Sequence, residues 1–284
     1  MNLTLARYAI ALLSCTVVLE ACSSDSDDNA TTAGSTTSFS PASISGEVMS
    51  VGTITVAQLA FSDDGAEVDI NAEFFNSPEL VSASDIATGF TGLAGECAIN
   101  DATAAGMGLE TGTLEPTNTG EVIIVSSPGG TFATLFLGPD DTYSLEGFEL
   151  PETAPAGLTL DSTGGEFSAL SSVPVPGVDP VTGLDAGGTP ITAMSTLTWD
   201  AGSNPENTLI LIAAFTDDDD PDSVICFTAD SGEFSFPSDI QAALGDDFIA
   251  PDASFARLVI DLIVNDDELL IVSNGTSIDV DTDQ

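Results

Sequence analysis

Residues 257–280 read RLVIDLIVNDDELLIVSNGTSIDV, and this stretch decides the fold. From Arg257 to Val264 the apolar residues Leu258, Ile260, Leu262 and Val264 fall on every second position. That period of two sends them to one face of a strand and leaves no helical stripe. Leu269–Val272 and Ser277–Val280 are two further apolar runs, and Asn274-Gly275 stands between them. Asn-Gly tolerates the positive φ angles of a type I′ turn, so the spacing predicts a hairpin centred there.

The same pattern recurs outward along the chain. Val68, Ile70, Ala72 and Phe74 alternate with Asp69, Asn71 and Glu73, a half-buried strand, and Val51–Phe61 reads similarly with Ile54 and Val56 inward. Glu121–Val125 and Thr131–Leu137 are separated by Ser-Pro-Gly-Gly, which is turn chemistry; Tyr143–Leu150 and Leu158–Leu160 continue the series. Thr196–Trp199, Leu209–Phe215 and Val224–Phe227 are strands, the last two joined by the polar loop TDDDDPDS. One short helix is predicted, with Ser238 as N-cap, Gln241 completing a capping box and Gly245 as the stop. Many short strands with turn signals between them predict an all-β protein built of β-sandwiches. Val173-Pro174-Val175-Pro176-Gly177 suits an extended connector or an edge segment, since proline cannot donate to a ladder. It divides the strands into residues 44–177 and 178–284, two expected sandwich domains.

The chain begins differently. Arg7 precedes an apolar run, Tyr8–Leu19, that is too short for a spanning helix of about 20 residues. A charged start, a short apolar core and a small residue at the cut make a signal peptide over residues 1–21. Leu19-Glu20-Ala21-Cys22 resembles the lipobox of bacterial lipoproteins, in which the cysteine is acylated and becomes the new N-terminus. Glu20 departs from that pattern, where a small uncharged residue is usual. Leu12-Leu13-Ser14-Cys15 is a rival lipobox, and an ordinary secretory cut near Ala21 is the other alternative. Cys22 is preferred because polar Ser/Thr/Asp-rich sequence starts immediately after it, a tether over residues 22–43. Acylation adds about 0.8 kcal/mol per buried CH₂, so several chains hold a protein stably on a bilayer. Ser23, where inner-membrane lipoproteins carry Asp, makes the resemblance imply the outer membrane; without acylation at Cys22 the protein is secreted.

Composition restricts the chemistry. The formal net charge is −44, with 46 acidic residues, two arginines, no lysine and no histidine. Such a surface repels phosphate backbones, which excludes nucleic acid as a partner. Without histidine there is no Ser-His-Asp triad and no imidazole metal ligand; without lysine there is no P-loop and no Schiff base. Cys97 and Cys226 remain after the signal and anchor cysteines, in a compartment that permits disulfides: they either bridge or stand as two buried thiols. Asp217, Asp218, Asp219, Asp220 and Asp222 could hold Ca²⁺, against the plainer reading of a solvated loop tip. No other cofactor is expected. Asp230-Ser231-Gly232 resembles the motif of aspartic proteases, but that chemistry needs a second copy, and a turn between strands is the expected role. Carboxylate pairs as such cannot exclude a glycosidase, though no particular pair stands out. Arg257 shares a strand face with Asp261, the expected ion-pair partner. Trp199 is expected in the core against Val224, Cys226, Leu258 and Ile260, the alternative being an exposed ring at a binding surface where it would stack on sugars.

The runs LTWDAGSNPENTLILIAAF and VICFTADSGEFSFPSDIQAAL, with the earlier AGLTLDSTGGEFSALSSVPVP, resemble a poorly characterised group of bacterial surface lipoproteins. That group is similar to immunoglobulin-like sandwiches. The resemblance carries no activity over. The anchor, the all-β pattern and the missing catalytic residue types predict a non-catalytic, membrane-anchored protein with a structural, adhesive or envelope-interaction role, its partners the lipid bilayer and an envelope protein or polysaccharide. The alternative is a Ca²⁺-dependent carbohydrate- or protein-binding module.

Overall fold

The computed structural model describes residues 39, 44–61, 65–99, 115–139, 141–145, 150, 153–187, 190–216, 223–245 and 247–281. These residues are mostly strand, with two α-helices, so the protein is all-β. Its first half carries β1 (Glu47–Phe61), β2 (Gly65–Ser82), α1 (Ala83–Leu93), β3 (Cys97–Ile99) and β4 (Glu115–Thr117). β5 (Val122–Ser127), β6 (Gly130–Leu137), β7 (Thr142–Leu145), β8 (Thr159–Ser162) and β9 (Val173–Pro174) follow. The second half holds β10 (Ile191–Thr192), β11 (Thr196–Thr198), β12 (Thr208–Phe215), β13 (Ser223–Ala229) and β14 (Glu233–Ser235). It ends with α2 (Ser238–Leu244), β15 (Ile249–Ala250), β16 (Asp252–Asn265) and β17 (Glu268–Asp281).

Thirteen of these strands form one sheet in the order β3-β13-β12-β16-β17-β1-β2-β7-β6-β5-β8-β9, with β4 also on β2. The single parallel pair among the described strands is β1 with β17, where Ser50–Leu59 run beside Glu268–Ser277. The first and last described strands therefore join the two halves in the middle of the sheet, and the pairing crosses the division at Gly177. β3 crosses it again, leaving its own half to pair with β13. Val173-Pro174 is the outermost strand on the far side, where an unpaired edge accepts proline.

Three apolar cores lie on the two faces. On one face Leu209, Leu211, Ala213, Leu258, Ile260, Leu262 and Val51 pack under α1, which contributes Ile86, Ala87 and Phe90. The opposite face carries two cores. One gathers Ile54, Val56, Val68, Ile70, Ala72 and Phe74 with Ile123, Val125, Leu135 and Leu160; the other gathers Ile210, Ile212, Val224, Cys226 and Phe255 with Trp199, Phe234 and Phe236. Only the core around Trp199 takes all its buried members from beyond residue 177; the core under α1 and the core around Phe74 draw on both halves, the latter with Leu270 and Val272 of β17. β12 is apolar at nearly every position because alternate residues feed different cores, the signature of a strand buried on both sides.

Several expectations change. Asn274-Gly275 is no turn: both residues lie inside β17, paired with Val259 and Leu258 of β16. The hairpin turns instead at Asp266-Asp267, where Asp266 takes φ of +53° and Asn265 faces Glu268. Gly275 serves packing, since a Cβ there would lie 2.6 Å from Leu258 Cδ2. α2 begins at Ser238 itself after Pro237, without a side-chain cap, and Gln241 Nε2 donates to the Phe236 carbonyl; Gly245 ends it at φ +76°. α1 was not expected. Ser82 caps it by accepting from Asp85 N at 3.3 Å, and its buried Ala83, Ile86, Ala87, Phe90 and Leu93 make a helical stripe. Within the predicted tether, Phe39 is 1% exposed and belongs to the core under α1. Cys22 and the rest of residues 1–38, with 40–43, lie outside the described residues.

Candidate functional site

The charged centre of the fold is Arg257, the only base besides Arg7, 2% exposed in β16. Register explains its partner. Arg257 faces Ile210 of β12, Leu209 faces Ala229 of β13, and Asp230 follows immediately, fully buried. Two strand spacings amount to about 10 Å, which a long guanidinium side chain spans. Arg257 Nη2 donates to Asp230 Oδ1 at 3.3 Å, and Nε lies 3.0 Å from Asp230 Oδ2. Nε is not aligned for a hydrogen bond, so that second contact is electrostatic. The expected pair with Asp261 does not form this way: four residues along a strand separate backbones by about 13 Å. Burial instead raises the Asp261 carboxyl above its ordinary range.

The remaining donors of Arg257 hold backbone. Nη1 donates to the carbonyls of Asp179 at 3.3 Å and Pro180 at 2.7 Å, and Nη2 to Asp200 O at 2.5 Å. Asp230 is equally occupied. Its Oδ1 accepts Trp199 Nε1 at 2.6 Å and its Oδ2 accepts Gly202 N at 2.8 Å. Gly202 must approach closely, because a Cβ there would sit 2.9 Å from Asp230 Oδ2. The cluster thus clamps the segment running from Asp179 to Gly202 over the core around Phe255, whose ring lies 5.1 Å from that of Trp199. Trp199 is buried with Val224 and Cys226 as expected; Leu258 and Ile260 belong to the opposite face. Asp230-Ser231-Gly232 is the connection between β13 and β14, with Gly232 at φ +87°. Chemically the cluster is a fastener. Its cation is spent on carbonyls and one carboxylate, which leaves no fork for an incoming anion.

A second polar group stands at the other core. Tyr143 OH donates to Gly120 O and accepts Thr119 N at 3.0 Å. Thr119 Oγ1 donates to Ser168 O at 2.8 Å and meets Ser162 Oγ at 2.7 Å, while Ser162 Oγ accepts Leu170 N. Ser168 N in turn donates to Glu268 Oε1 at 2.8 Å, tying this loop to the start of β17. Burial raises the Tyr143 hydroxyl above its ordinary range. Every hydroxyl here binds backbone or another hydroxyl, an arrangement that fixes a loop and activates no nucleophile.

Cys97 and Cys226 oppose each other across β3 and β13 and are joined by a disulfide, with Cα atoms 4.1 Å apart. Asp217, Asp218, Asp219, Asp220 and Asp222 lie outside the described residues, between the paired ends Phe215 and Ser223 of the β12–β13 hairpin. Among the described residues no group of three or more acidic, cysteine or histidine side chains is arranged to hold a metal ion. Among them, too, no helix is long and apolar enough to cross a membrane. By spacing alone Asp230 reads as a turn residue; its partnership with Arg257 depends on strand order, which residue spacing does not carry. No protein-family model matches the chain, and no curated protein matches its sequence.

Proposed function

We propose that the chain is a non-catalytic lipoprotein of the bacterial outer membrane, anchored through Cys22, with a structural, adhesive or envelope-interaction role. The Cys97–Cys226 disulfide is the observation that carries this reading, because such bonds persist in oxidising compartments outside the cytoplasm. The signal-like residues 1–21 supply the route there. The commitment of Arg257 and Asp230 to one another and to backbone supports a structural role for the most conspicuous charges. Fractionation tests the placement: the wild-type protein should sediment with outer membranes, and Cys22→Ser should move to the soluble fraction. Equal partitioning of both forms would oppose it.

The finer architecture belongs to the same proposal. The two separate cores on one face, centred on Phe74 and on Trp199, support a tandem of immunoglobulin-like sandwiches, which β17 would then bridge by pairing with β1 and lending Leu270 and Val272 to the first core. A second reading, a Ca²⁺-dependent carbohydrate- or protein-binding module, draws on the five aspartates among residues 217–222. Melting at millimolar Ca²⁺ against chelator, at matched ionic strength, separates the readings. A rise of several degrees favours the binding module, and no difference favours the structural protein.

A further inference from the structure

Any pull on the chain before Phe39 meets first that core residue and then β1, an inner strand between β2 and β17. Toward β17 it pairs in parallel along Ser50–Leu59. Toward β2 its antiparallel pairing runs from Glu47 to Phe61, with one irregularity between Val48 and Ser50. Because β1 and β17 are parallel, their beginnings share one end of the sheet and their ends share the other. Tension between the start of β1 and the far end of the sheet therefore acts along the strand. It loads the rungs on both sides together, so none can open before its neighbours.

The rungs are also dry. Every residue from Ser50 to Ala57 is buried. Where water is excluded, a broken backbone hydrogen bond finds no substitute partner, and both groups are left unsatisfied. Phe39, seated in the core under α1, is a further catch upstream of the strand. The disulfide lies elsewhere, between β3 and β13 at the far edge, so it does not staple β1 to its neighbours.

We infer that β1, held between β2 and β17, is a mechanical clamp through which the folded part withstands tension on its tether. The inference takes the source of that tension from the lipid-anchor reading; the resistance itself belongs to the fold. Single-molecule force spectroscopy on the purified protein tests it with two handle placements in one sequence. Handles at the N- and C-termini load β1 in shear. Handles between Phe61 and Gly65, which pair where β1 ends and β2 begins, and at the C-terminus pull from one end and peel the pair rung by rung. The first placement should rupture at several times the force of the second. Reduction of the disulfide should lengthen the extended chain while leaving the first rupture force unchanged. Equal forces in the two placements, or extension from the termini without a rupture peak, would overturn the clamp. A Cys22 that carries no lipid would remove the load while leaving the force ratio as it is, so the two failures are distinguishable.

Discussion

At the scale of single residues, the account turns on charges that the fold has taken out of water. Removing one partner of a buried ion pair strands the other, and such losses run to about 3–5 kcal/mol. Asp230→Ala should lower unfolding stability by that amount in urea titrations, since it leaves Arg257 without its counter-charge and the Trp199 indole without its acceptor. Trp199→Ala should cost about 3–5 kcal/mol by loss of packing. The two changes share a partner, so the double variant should lose less than the sum. Partial desolvation of two acids gives a pH dependence. It raises the half-buried Asp261 and acts in the same direction on the exposed Glu96, so at these two sites the folded state binds protons more readily than the unfolded chain. Their contribution to stability is fully present below the unfolded carboxylate range, near pH 4, and is lost as pH rises through the raised folded values. Thermal midpoints should therefore climb on mild acidification from neutral pH, and Asp261→Asn should flatten part of that climb. An unchanged profile in the variant would place the effect elsewhere.

At the scale of elements, Gly275 shows how a correct local rule gives a wrong turn. Asn-Gly favours a hairpin in isolation, yet β16 and β17 pair straight through it because Leu258 needs the space that a Cβ would occupy. Gly275→Ala should overpack this site and destabilise the protein by about 1–3 kcal/mol, measured by thermal or urea unfolding. A turn at this position would tolerate the change far better. The strands themselves were legible, because half-buried alternation in β2 and the double-sided apolar run of β12 follow from burial alone. α1 carries its own sequence signal, since Ser82, Asp85 and the stripe from Ala83 to Leu93 supply a cap and a helical period. What spacing could not supply was strand order. The parallel β1–β17 pair and the migration of β3 to β13 bring together residues far apart in sequence, and the Arg257–Asp230 contact depends on the same order. The disulfide was one of two open alternatives for the same reason.

At the scale of the whole molecule, a net charge of −44 opposes compaction, and the cross-linked sheet opposes that repulsion. With a Debye length of about 30 Å at 0.01 M salt, the carboxylates are poorly screened. The unfolding midpoint should rise from 0.01 to 1 M NaCl, most steeply at the low end. The disulfide closes a separation of 129 residues, for which the chain-entropy model gives a stabilisation of roughly 4–5 kcal/mol. A Cys97→Ser, Cys226→Ser double variant should show that loss, with the greatest salt dependence of any form tested. These properties suit a protein held outside the cytoplasm, and the central proposal is that Cys22 holds it there by lipid. Metabolic labelling with an alkyne fatty acid tests that most directly: wild type and Cys15→Ser should take the label and Cys22→Ser should not, whereas label persisting in Cys22→Ser would contradict the account.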